Sequence, residues 1–260
     1  MLAAARSALV GVRNNLSLPL RIMWLESGLV YKYSIQQYLN CLTQFSPNGV
    51  GIEPFPISQD AMDLLDAVDK YCEQHNIAKF LIVGAGPFVD WSFVDRMKDR
   101  NYVMCIDDSN VESMNNLQQL KNMGLKTLLV HWDDPGVISM LENGLVDYSC
   151  ICYYPYYPGK SLYDQLKQML ITVSGWCKQY NVKFVPAVQC FGKAAQNWRF
   201  PTRMELRRLI SDTLDVQAYG AIFFTPFTGT SRRGETFDGF RDHPTSWDLL
   251  INPAKARFHL

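Results

Sequence analysis

This sequence predicts an α/β fold, a single (β/α)8 TIM barrel, and three observations predict it. Strand-like apolar runs alternate with stretches of helical spacing eight times along the chain. The 260 residues match the usual size of such a barrel, about 250. No linker or low-complexity segment divides the chain, so residues 19–260 are expected to form one domain behind an N-terminal arm at 1–18.

The predicted strands are LRIMWLE (20–26), GVGIEPF (49–55), KFLIVGA (79–85), YVMCIDD (102–108), KTLLVHW (126–132), VDYSCICYY (146–154), KFVPAVQCF (183–191) and YGAIFFTPF (219–227). Each is an apolar run bounded by turn residues. Between them lie SIQQYLNCLTQF, SQDAMDLLDAVDKYCEQH, VESMNNLQQLKNMG, SLYDQLKQMLITVSGWCKQY and TRMELRRLISDTLDVQA, with apolar residues at three- and four-residue intervals. Ser58, Ser161 and Thr202 stand at or near helix starts as N-caps, and Asn48-Gly49 and Gly124 as C-terminal stops. Asp133-Asp134-Pro135 reads as a further helix start. After Phe227 a segment rich in Gly, Thr and charge is expected to form a long eighth loop over the barrel mouth, before a short closing helix.

Composition narrows the function. Twenty-five basic residues balance twenty-five acidic ones, so no global field favours nucleic acid or an anionic membrane. The amino terminus MLAAARSALVGVRNN lacks the apolar core of a signal peptide, and no run approaches the roughly 18 apolar residues of a membrane span. The compartment stays open. The seven cysteines read as buried free thiols rather than a disulfide framework. His75, His131, His243 and His259 show no metal-ligand spacing, and neither a GxSxG elbow nor a Walker loop is present. The expectation is no metal and no cofactor.

One stretch supports a different reading. Residues 80–110 carry Gly84-Ala85-Gly86-Pro87 after an apolar run and Asp107 at the end of the next, which is the outline of a nucleotide-binding Rossmann unit. It would make the chain an S-adenosylmethionine-dependent methyltransferase. Two features oppose this: Val89 stands where a third glycine belongs, and Pro87 removes a backbone donor from the turn.

The carboxyl-terminal half carries a resemblance. VDYSCICYYPYYP, VPAVQCFG, WRFPTRMELRRLISDTLDVQAYGAIFF and the strand ending in Asp107-Asp108-Ser109-Asn110 resemble the corresponding strands and loops of glycoside-hydrolase-type (β/α)8 barrels over residues 102–227. That resemblance implies action on a poly- or oligosaccharide and places Asp108 at the acid/base position, one methylene shorter than the family's glutamate. It also puts Gln189 where retaining barrels carry a nucleophilic glutamate.

In a barrel the chemistry sits at the carboxyl ends of the strands. Those ends carry Glu26, Glu53, Asp107 and Asp108, then His131 with Trp132, Tyr154 and Tyr156, and Gln189. Glycoside hydrolysis needs two carboxyl groups across the scissile bond; Asp108, Glu26 and Glu53 are the catalytic candidates. Asp107, His131, Trp132, Tyr154, Tyr156, Gln189 and Trp198 are the candidates for substrate binding, since tyrosine and tryptophan faces stack on sugar rings. An amide at 189 cannot form a glycosyl ester, so a non-catalytic glycan-binding or structural barrel is the alternative.

Overall fold

The computed structural model describes residues 18–26, 32–55, 57–107, 113–132, 134–231 and 234–251. In β1 (Leu20–Glu26) the side chains divide by parity: Leu20, Ile22 and Trp24 join one buried cluster, Met23 and Leu25 another. This is the two-residue period of a strand buried on both faces. In β2 (Gly49–Glu53) Val50 and Ile52 join the second cluster, and the same division runs through β3 (Ala78–Ala85), β4 (Tyr102–Asp107), β5 (Lys126–His131) and β6 (Tyr148–Ile151). One cluster fills the inside of a barrel, and the other lies between strands and helices.

The seventh strand comes in two pieces. Lys183–Phe184 pairs with β6 and Ala187–Val188 pairs with β8 (Gly220–Phe224), and together they form β7. Pro186 has no N–H to give a ladder, so one strand hands its pairing from one neighbour to the next around it. Val185 N still donates to Ser149 O at 2.9 Å, and Pro186 O accepts from Ile222 N at 3.0 Å. Pairing of β8 with β1, from Leu20↔Gly220 to Trp24↔Phe224, closes the ring. All neighbours in it are parallel, and no strand edge of the ring is left open.

Helices α1 (Ile35–Phe45), α2 (Gln59–His75), α3 (Trp91–Met97), α4 (Ser113–Asn122), α5 (Gly136–Glu142), α6 (Tyr163–Gln179), α7 (Arg203–Asp215) and α8 (Pro244–Ile251) complete the eight units. The chain is a (β/α)8 barrel. Ser58 caps α2 by accepting from Ala61 N, and Thr202 caps α7 in a capping box with Glu205, as expected. Two capping expectations are corrected. Helix α6 begins at Tyr163 behind Leu162, with Ser161 Oγ accepting from Tyr163 N at 3.3 Å. The left-handed residue ending α1 is Ser46, whereas the Asn48 side chain ties the starts of β1 and β2 by donating to Pro19 O (2.5 Å) and accepting from Arg21 N (2.6 Å).

The Gly-Ala-Gly-Pro stretch is a hairpin, not a phosphate loop. Phe88–Val89 folds back on β3 with Gly84↔Val89 and Ala85↔Phe88 paired antiparallel, and a Cβ at Gly84 would overlap the Phe88 carbonyl. Gly86 takes φ +54°, and its N–H donates to Asp107 O at 2.8 Å. Close backbone approach therefore explains the glycine, and the closed barrel excludes the Rossmann reading. The expected eighth loop forms a small antiparallel sheet, in which Gly229–Thr230 and Gly192–Lys193 flank Thr236–Asp238. It joins the loops after β7 and β8. The predicted arm lies outside the described residues except for Leu18.

Candidate functional site

Strand parity decides what reaches the mouth. Trp24 points into the barrel, so Glu26 two residues on does too; in β2, Val50 and Ile52 point outward, which leaves Gly51 and Glu53 inward. Glu26 and Glu53 are register partners on adjacent parallel strands. Both line a cavity of about 1130 Å³ at the carboxyl ends of the strands. Glu26 is buried and its carbonyl accepts from Tyr38 Oη at 3.0 Å; Glu53 is half-buried. Asp107, on the inward parity of Val103 and Cys105, faces the same cavity from β4.

Aromatic rings surround these acids. Trp24 forms part of the floor, over Gly51, where any Cβ would collide with the indole. Among the described residues its Nε1 has no hydrogen-bond partner. Tyr154 meets Trp198 at 4.7 Å and Phe191 at 4.9 Å between ring centroids, both edge-to-face, and accepts from Cys152 Sγ at 3.0 Å. Burial, with Cys152 beside it, pushes the Tyr154 phenol well above its ordinary value. It stays a neutral hydroxyl. Trp132, half in solvent, packs its edge against Tyr153.

The cavity also includes groups that strand-end reasoning missed. Asp90 caps α3, and its carboxyl is held below the usual range by the Ser92 hydroxyl and the Phe93 N–H; it is an ionised cap, not a proton donor. Lys193 and Glu235 form an ion pair of 2.6 Å within the small sheet. Phe88 projects from the hairpin after β3. Trp24 was findable from its place two residues before Glu26. Phe88 carries no local signal, since only the folded-back hairpin takes it to the rim.

Of the sequence-predicted residues, Glu26, Glu53, Asp107, Trp132, Tyr154 and Trp198 meet at this cavity. Asp108 and Asp133 lie outside the described residues. Three other candidates stand away from this cavity. His131 has the outward parity of β5; it is fully buried, with Nε2 at 2.7 Å from Ser149 Oγ and Nδ1 against Trp132 O. Tyr156 is buried in the layer outside the barrel, beneath the Arg199 guanidinium at 5.1 Å. Gln189 is fully buried and bound to backbone, accepting from Tyr156 N at 3.0 Å and donating to Arg199 O at 2.8 Å. It braces two loops. Arg199, clamped by Glu205 (2.6 and 2.8 Å), pins the same loop.

Among the described residues there is no group of three or more His, Cys, Asp or Glu side chains that could hold a metal ion. None of the described helices is long and apolar enough to cross a membrane.

No protein-family model and no curated protein matches the chain. Solved structures do. A Bacteroides thetaiotaomicron VPI-5482 protein described as an alpha-L-fucosidase aligns over 94% of this chain and 95% of its own, with TM-score 0.66 and 11% identity. The GH99 endo-alpha-mannosidase from Bacteroides thetaiotaomicron aligns over 86% and 80%, with TM-score 0.55 and 10% identity. Tryptophan synthase subunit alpha from Campylobacter jejuni aligns over 82% and 89%, with TM-score 0.51 and 11% identity. The chain thus shares the barrel fold of glycoside-hydrolase-type proteins. At such identity the likeness concerns fold, and function must be argued from the site.

Proposed function

We propose that this protein is a carbohydrate-active barrel that binds an oligo- or polysaccharide at its mouth and hydrolyses a glycosidic bond there. The observation that carries the reading is the register pairing of Glu26 with Glu53 in a cavity walled by Trp24, Tyr154, Trp132 and Trp198. Glycoside hydrolysis needs one carboxyl group that donates a proton to the leaving oxygen and a second that is ionised, and this pair offers both groups at one side of the mouth. Asp107 is a third acid facing the same space. Asp108, next in the chain, is a further proposed donor, from the resemblance in its motif. The aromatic walls suit the apolar faces of sugar rings. Two of the similar structures are a described fucosidase and a mannosidase, which supports this reading at the level of fold.

The second reading is a glycan-binding barrel without turnover. It is favoured by Gln189, which leaves β7 with an amide bound to backbone where a nucleophilic carboxylate would stand. One experiment separates them. A glycan array probed with the intact protein finds the ligand, and release of reducing ends from that ligand measures turnover. Hydrolysis that falls by roughly 10²–10⁴ in Glu26→Gln or Glu53→Gln supports the enzyme; binding without hydrolysis supports the lectin-like reading; no binding to any glycan defeats both.

A further inference from the structure

Phe88 is 81% exposed, the largest exposure among the described large hydrophobic side chains, yet its backbone lies in a hydrogen-bonded hairpin. Ala85↔Phe88 and Gly84↔Val89 are paired, and Asp90 N donates to Val83 O at 3.1 Å. Asn116 Nδ2 donates to the carbonyls of Gly86 and Pro87, each at 3.2 Å. This bracing holds out a ring that itself buries almost nothing.

Trp132, 45% exposed, follows β5, and β4 with Asp107 runs between β3 and β5. The two exposed rings thus flank the strand that ends in a carboxylate. Both line the cavity, whereas the other exposed large hydrophobics, Ile57, Met123, Ile171, Met204 and Tyr219, do not. Exposed apolar side chains scattered singly need no explanation; two at one rim, above acids and continuous with an aromatic-walled cavity, do.

We infer that Phe88 and Trp132 form an outer sugar-binding subsite at the rim, so that the ligand is an oligosaccharide chain reaching from the Glu26–Glu53 pair to this platform rather than a single sugar. The inference rests on the carbohydrate reading above and deepens it. The cavity, about 1130 Å³, lies at the upper end of the usual size of a ligand site, roughly 300–1,000 Å³. A ring carried on a braced backbone is placed before the ligand arrives, and aromatic side chains of this kind are the usual anchors of a binding face.

The test is calorimetric titration with cello-, malto-, chito- and manno-oligosaccharides of two to six units. Affinity is expected to rise with chain length in at least one series. Phe88→Ala should flatten that rise, lowering the affinity of the longest member by about 10- to 100-fold, and Phe88→Trp should restore it. The melting temperature of Phe88→Ala, whose lost ring was in solvent, shows that the fold is intact. A length dependence untouched by Phe88→Ala and Trp132→Ala, or binding independent of length, overturns the inference while leaving the carbohydrate reading standing. If no member of any series binds, this inference falls, while the carbohydrate reading is decided by the glycan array.

Discussion

Glu26 and Glu53 end adjacent parallel strands as register partners, both on the inward parity and both facing the same cavity. Neighbouring side chains in parallel strands share a face, so the pairing places both acids on one side of the mouth. If they work as one acid–base unit, Glu26→Gln and Glu53→Gln should each cost roughly 10²–10⁴ in turnover, and the double variant should cost little more than either single one. Initial rates of reducing-end release, measured across pH, would check this. Additive losses would mean that the two act separately.

Gln189 should matter to stability rather than to ligand contact. Its truncation to alanine leaves the Tyr156 N–H and Arg199 carbonyl without the partner that now joins them, at a cost of about 1–3 kcal/mol for the stranded group plus the cavity left behind. We expect Gln189→Ala to melt several degrees lower, at about 2–4 °C per kcal/mol for a chain of this size. An unchanged melting temperature would contradict the bracing role.

Gly84 is fixed by contact with the returning Phe88–Val89 strand, not by its φ. Gly84→Ala should destabilise by about 1–3 kcal/mol through overpacking and shift the hairpin that bears Phe88. Thermal melting measures the first effect. Loss of glycan affinity in the folded variant would report the second.

Seven free thiols make a sharp accessibility test, because Cys152 alone is half-exposed while the other six are buried. Burial pushes the Cys41 and Cys72 thiols up to about 12, which leaves almost no thiolate at neutral pH. Titration of the folded protein with an aromatic disulfide reagent should modify one cysteine quickly. Cys152→Ser should remove that phase, and a bound ligand should slow it, since Cys152 lines the cavity.

The Arg199–Glu205 clamp predicts an acid-sensitive brace. Burial would raise the Glu205 carboxyl, but hydrogen bonds from Arg199 and Thr202 outweigh it and hold the group below its ordinary value. A folded-state value below the unfolded one contributes stability above the unfolded value, and that contribution is lost as pH falls through the folded one. Glu205→Gln should therefore melt lower than the parent at pH 7, and the gap should narrow as pH drops below about 4.3, the ordinary glutamate value. Melting curves between pH 3 and 7 would show it; a constant gap would not fit.

Much of this was legible along the chain. Apolar runs bounded by turn residues located all eight barrel strands, because a strand covered on both faces has to be apolar almost throughout. The caps Ser58 and Thr202 followed from local hydrogen-bonding chemistry. Strand ends also named Glu26, Glu53, Asp107 and Trp132 for the mouth, since a parallel barrel brings its carboxyl ends together. These are statements about order and period, and a one-dimensional sequence carries both.

Which way each side chain faces was a matter for the closed barrel. His131 and Trp132 are consecutive, yet one is locked against Ser149 outside the ring while the other stands in the cavity. Tyr154 and Tyr156 share a motif, but the chain has already left β6 at Ile151 and turns into the Tyr156–Tyr157 hairpin, so strand alternation does not carry from one to the other. Gln189 and Arg199 meet only because two loops fold over β7. Phe88 reaches the rim through a reversal that hinges on one glycine too crowded for a methyl group. Local sequence sets the period of a strand, but its phase relative to the cavity, and every contact between loops, depends on groups far apart in the chain that only closure of the ring brings within reach.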